Sequence, residues 1–155
     1  MKKVTFVCPY IGSKFPDTFK LLIDSMMHNA NYNFVLPTNI DFSEYVSVRN
    51  ITFVKTDLQQ INARIDQIVG YHACLNTAYK LVDYKPMFGT IFSRYIGDSD
   101  WWGYFDSDIV FGDISSFLTD DLLQNYDRIF TRGHLTLFRN TALLNNLWRH
   151  DFGFR

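Results

Sequence analysis

Asp106 and Asp108 stand one serine apart at the end of an aromatic run, Trp101-Trp102-Gly103-Tyr104-Phe105. On an extended chain, side chains two apart point the same way, so the two carboxylates are expected to converge on one spot. Converging carboxylates offer hard oxygen ligands to Mn²⁺ or Mg²⁺, ions that take one or two protein carboxylates while a diphosphate completes the shell. The same Asp-x-Asp spacing also arises as a solvated, self-capping turn, so the motif gains weight only from its place at the end of an apolar strand. Arg132 and Arg139 are candidates for pairing with phosphate, with surface salt bridging as the alternative. Cys8 and Cys74 are far apart and form neither a CxxC pair nor a spaced zinc set, which reads as reduced structural thiols.

The elements that must position these groups follow from hydrophobic period and turn chemistry. Val4 to Cys8 reads as a buried strand stopped by Pro9, opening into Pro9-Tyr10-Ile11-Gly12. Pro16 suits the first turn of a helix whose Phe19, Leu22, Ile23 and Met26 share one face. Short strands are expected at Asn33 to Leu36, ended by Pro37, and at Ile51 to Lys55. Leu58, Ile61, Ile65 and Ile68 mark an amphipathic helix that Gly70 ends. A short helical segment over Asn76 to Val82 precedes a helix starting near Lys85-Pro86, with Phe88, Ile91, Phe92 and Tyr95 on its buried side and Gly97 at its end. After the strand Trp101 to Phe105 come a helix near Leu122 capped by Thr119, strands at Arg128 to Thr131 and Leu135 to Phe138, and a helix from Thr141 to Trp148. Alternating strands and helices argue for an α/β domain, 1–155, with a largely parallel sheet whose ligands collect at the carboxyl ends of its strands. Phe152 and Phe154 close the sequence with apolar surface still to cover, so truncation, an oligomer or a partner over the C-terminal surface is expected.

Several classes are excluded by composition. A chain of 155 residues with 47% hydrophobic and 20% charged residues folds as an ordinary globular domain. Its 15 Phe and 9 Tyr build a ring-rich core. The net charge of −1, with scattered basic residues, lacks the positive stripe that nucleic-acid binding needs. Lys2 and Lys3 precede an apolar stretch that Pro9 and Gly12 interrupt too early for a signal peptide. No segment approaches the roughly 20 apolar residues of a transmembrane helix. The expected location is cytoplasmic, with a peripheral membrane association through a partner or a missing segment as the further option.

Four stretches in order resemble a known family. They are Pro9-Tyr10-Ile11-Gly12, Tyr79-Lys80-Leu81-Val82-Asp83-Tyr84-Lys85-Pro86, Trp102-Gly103-Tyr104-Phe105-Asp106-Ser107-Asp108-Ile109-Val110-Phe111-Gly112, and Arg132-Gly133-His134-Leu135-Thr136-Leu137-Phe138-Arg139-Asn140. Together they are similar to glycosyltransferase-like proteins of bacterial polysaccharide gene clusters, within the wider GT-A superfamily. The resemblance implies a GT-A fold and a metal-dependent transferase taking a sugar from a nucleoside diphosphate, UDP first, to a glycan acceptor. It places Pro9, Tyr10 and Ile11 on the base and ribose, and Asp106 and Asp108 on ribose and metal. It also places Asp83 and Lys85 on the donor sugar or phosphates, for which a helix cap and a surface charge are the alternative. His134 would line the sugar pocket, although a lone histidine is more often a structural hydrogen-bond partner. No residue is assigned as the base that an inverting transferase needs.

Two other readings stay open. Asp106-Ser107-Asp108-Ile109-Val110 also resembles the nucleophile motif of haloacid-dehalogenase-type phosphatases. That family needs a later phosphate-binding lysine, and no lysine follows Lys85. The second is a catalytically incomplete nucleotide-binding module, either a truncated gene product or a subunit completed by a partner.

Overall fold

Strands made almost wholly of apolar residues must be covered on both faces, which places them inside a sheet. Val4–Val7 (β1) and Trp101–Phe105 (β4) are buried throughout and lie parallel at the sheet's centre, with Val4 opposite Trp101 and Val7 opposite Tyr104. The structure, a computed structural model, describes residues 2–45, 48–151 and 153, so Phe152 and Phe154 lie outside the described residues. On the far side of β1 come Asn33–Thr38 (β2) and then Ile51–Lys55 (β3), both parallel to it. On the other side Leu135–Arg139 (β6) runs antiparallel to β4, and Arg128–Ile129 (β5) antiparallel to β6. The sheet order is β3-β2-β1-β4-β6-β5, the mixed, mostly parallel α/β arrangement expected from the alternation of elements.

Alternation along β4 sends Trp101 and Phe105 to one face and Trp102 and Tyr104 to the other, into two separate apolar clusters. The first is closed by Phe19–His28 (α1), whose Phe19, Leu22, Ile23 and Met26 are all buried as their spacing predicts, and by Asp120–Asn125 (α5). The second is closed by Leu58–Val69 (α2), Phe88–Ile91 (α3) and Ser93–Ile96 (α4). α2 has the predicted bounds: Asp57 accepts the Gln60 N–H at its start, and Gly70 takes a left-handed φ of 84° at its end. Gly103 answers a different need. A Cβ there would stand 2.7 Å from the Thr136 carbonyl oxygen of β6, so β4 and β6 can close up only because position 103 has no side chain.

Several boundaries differ from the sequence expectation, each for a local reason. α1 begins at Phe19, because Pro16 belongs to a preceding turn in which its carbonyl accepts the Phe19 N–H. β2 runs on through Pro37: its carbonyl still accepts the Tyr10 N–H, and the donor it lacks would face the chain beyond the end of β1. The stretch read as a helix from Lys85 is a 3₁₀ segment, Ala78–Met87, followed by α3 and α4, with a break at Phe92 (φ −103°, ψ 18°). The break turns Tyr95 outward and puts Ile96 in the core instead. β5 stops at Ile129 because Phe130 takes a positive φ of 56°. The last helix is a single turn, Ala142–Asn145 (α6), with a 3₁₀ turn at Leu147–Arg149. Among the described residues no helix is long and apolar enough to cross a membrane.

Candidate functional site

In a doubly wound sheet the crevice opens where strand order reverses, outside the carboxyl ends of the two strands that flank the reversal. Here those strands are β1 and β4, since β2 lies on one side of β1 and β4 on the other. The parallel register brings Pro9 to Gly12 and Asp106 to Asp108 to the same edge of the sheet. The Pro9 loop is anchored to the chain after β2 by Asn39, whose side chain accepts the Gly12 N–H and donates to the Gly12 carbonyl, both at 2.9 Å. Tyr10 adds a bridge to Thr38.

Asp106 is the hub. One carboxylate oxygen takes a hydrogen-bonded ion pair from the Lys85 ammonium, and the other faces His134 Nδ1 at 3.0 Å. The Asp106 amide also bonds the His134 carbonyl at 3.0 Å, so the β6 hairpin and the end of β4 are tied together at this residue. Lys85 is set from beneath by the Tyr104 ring, 5.1 Å from the ammonium, and from the side by the Gly133 carbonyl at 3.4 Å. The Lys85 and Asp106 side chains are only 16% and 29% exposed, whereas His134 is 80% exposed and keeps Nε2 without a partner among the described residues. Cys8, sealed at the end of β1, has its thiol pushed up to about 12, first by burial and then by the negative charge of Asp106.

Residues 6–154 match the family of unknown function DUF6625. The chain belongs to that family. A comparison with curated protein sequences gives no match. Similar solved structures include the galactosyltransferase LgtC in complex with donor and acceptor sugar analogues, at 15% identity and a TM-score of 0.42. They also include the apo form of the glycosyltransferase GlyE of Streptococcus pneumoniae TIGR4, at 16% identity and a TM-score of 0.48. Each comparison covers 96% of this chain, which spans 60% of the LgtC chain and 36% of the GlyE chain.

Strand alternation, the expected basis for bringing Asp106 and Asp108 together, does not extend to them in this DUF6625 chain. β4 ends at Phe105, and residues 107–108 form a turn in which the Ile109 N–H reaches back to the Asp106 carbonyl at 3.4 Å. The two carboxylates therefore differ: Asp106 is held on both oxygens, while Asp108 is exposed and bonds no other described residue. Among the described residues no group of three His, Cys, Asp or Glu stands ready to hold a metal. The two carboxylates still supply the hard oxygen donors that fit Mn²⁺ or Mg²⁺, provided a diphosphate and water finish the shell.

Lys85 joins Asp106, but Asp83 does not: it is exposed and pairs with Lys80 at 3.1 Å. Arg139 has a structural post, bonding Asp127 and three carbonyls at the end of α5, and stacking over Trp101. Arg132 instead lines a cleft of about 570 Å³ beside His134, walled by Phe111, Phe117 and Phe130. Sequence reasoning missed Tyr104 as the seat of Lys85 and Asn39 as the anchor of the Pro9 loop. Tyr104 was detectable, since it precedes Asp106 by two residues and shares its side of the strand. Asn39 carried no local signal.

Proposed function

We propose that this chain binds a nucleoside-diphosphate sugar, a UDP-sugar first, and serves as the donor half of a glycosyltransferase acting on a glycan acceptor. The observation that supports this reading is the meeting of Asp106, Lys85 and His134 at the β1/β4 crevice, beside Pro9, Tyr10 and Ile11. A diphosphate entering there meets a lysine already desolvated on most of its surface, whose ammonium can exchange one anionic partner for another. That exchange frees Asp106, which with the unpaired Asp108 would hold Mn²⁺ or Mg²⁺. Such an ion, when bound, supplies Lewis-acid stabilisation of the charge that builds on a departing diphosphate. His134 Nε2 is left to meet the donor's sugar, and Pro9, Tyr10 and Ile11 its base and ribose. The same proposal places the protein in polysaccharide assembly in the cytoplasm, peripheral to the membrane.

Calorimetry with UDP and GDP, in Mn²⁺ and then in excess chelator, tests this. Binding should be much tighter with metal, and Asp108→Asn should remove the metal-dependent part while the fold is kept, because Asp108 makes no hydrogen bond with another described residue. No binding of either nucleotide in any metal condition, or equal binding by the variant, would sink the reading.

A further inference from the structure

A second cleft, of about 450 Å³, lies between α2 and the α3–α4 pair at the carboxyl ends of β2 and β3. Its lining shares no residue with the Asp106 cluster. It holds three cationic side chains, Lys55, Arg64 and Arg94, and no aspartate or glutamate. Lys55 is steered by main-chain carbonyls, donating to Asn39 at 2.6 Å. The Arg64 and Arg94 side chains bond no described residue, in contrast to Arg139 and Arg149, whose guanidinium groups are engaged by a carboxylate, carbonyls and rings. Gln60, which also lines the cleft, accepts from the Thr56 hydroxyl through Oε1, which leaves its amide nitrogen as a further donor. The floor is apolar, formed by the buried Ile61, Ile91 and Phe92.

Unneutralised guanidinium groups over an apolar floor suit a ligand with an anionic head and a compact body. Two planar forks match the several oxygens of a phosphate better than a single carboxylate. The volume admits more than a bare ion. We propose that this cleft binds the phosphate group of a small phosphate ester through Arg64 and Arg94, with Gln60 as a neutral third donor. The site acts independently of the crevice at Asp106.

The test is titration of the whole chain with glucose 6-phosphate, with glucose as the control, followed by amide shifts in two-dimensional NMR. Saturable shifts should centre on Thr56, Gln60 and Ser93 with the phosphate ester, and be missing with glucose. Arg64→Gln/Arg94→Gln should weaken binding about a hundredfold, roughly tenfold for each charged hydrogen-bonding group removed. Both side chains are exposed, so the melting temperature should be kept. Lys85→Met should leave the binding in place. The proposal is overturned if wild type shows no saturable shift, if the shifts centre on residues 106–108, or if the double variant binds within about twofold of wild type.

Discussion

Replacing Lys85 with methionine keeps most of the stem and removes the charge, leaving Asp106 to face a partly dry site alone. Breaking one side of a fully buried ion pair costs about 3–5 kcal/mol, because the orphaned charge stays desolvated. Here the cost must be smaller. Water reaches 29% of the Asp106 side chain, and His134 Nδ1 remains at 3.0 Å as a second partner. A loss of about 2 kcal/mol follows, which for a chain of this size lowers the melting temperature by about 6 °C. Asp106→Asn should cost a similar amount, since the amide oxygen, the Tyr104 ring and the Gly133 carbonyl still meet the Lys85 ammonium but none of them neutralises its charge. The double variant carries no orphan of either sign, so its loss should fall short of the sum by about 1–3 kcal/mol. Urea unfolding followed by tryptophan fluorescence gives all four corners of the cycle. Strict additivity, within about 0.5 kcal/mol, would show that the pair is not coupled and that Lys85 is a surface charge lying near a carboxylate.

Trp101 is fully buried, and Trp101→Ala should cost about 3–5 kcal/mol in urea unfolding; an unchanged midpoint would contradict its place in the core. Its ring N–H finds no partner among the described residues, so Trp101→Phe should lose less than ring size alone predicts. Gly103→Ala pushes a methyl against the Thr136 carbonyl and should cost about 1–3 kcal/mol, with a parallel loss of nucleotide binding as β4 shifts Asp106; calorimetry and unfolding read the two effects. Iodoacetamide at pH 8 should label the exposed Cys74 quickly and Cys8 only on unfolding, because folding moves the Cys8 thiol from an ordinary 9.0 to about 12. The unfolded chain therefore sheds that proton first. The Cys8 contribution to stability should be intact below about pH 9 and decline as pH rises to about 12, and a pH series of unfolding midpoints in wild type and Cys8→Ala checks the sign.

What the sequence disclosed and what it hid divide by the range of the interaction. α2 was legible to the residue, because the spacing of Leu58, Ile61, Ile65 and Ile68, and the stop at Gly70, all act within one helix. The buried aromatic strand Trp101–Phe105 was legible for the same reason: burial on both faces is written into its composition. Errors came where a neighbour outside the window decided the outcome. Pro37 reads as a strand end until β1 is seen to stop beside it, and Tyr95 reads as core until the chain breaks at Phe92.

The candidate site shows the same division. Asp106 was found from its strand and His134 from the family resemblance, but their contact, and the ion pair with Lys85, join residues 28 and 21 positions apart. No local pattern encodes such pairings; they exist because β6 folds back on β4 and because the 3₁₀ segment before α3 crosses Tyr104. One consequence changes the chemistry expected of the motif. Strand alternation made the two aspartates equivalent, whereas the turn at residues 107–108 and the partners of Asp106 make them unequal, one held in place and one free. A site built that way requires its ligand to displace Lys85 or to share it. Charge compensation by Lys85 must therefore change hands before both carboxylates can serve one cation, and nucleotide and metal should bind together more tightly than either binds alone.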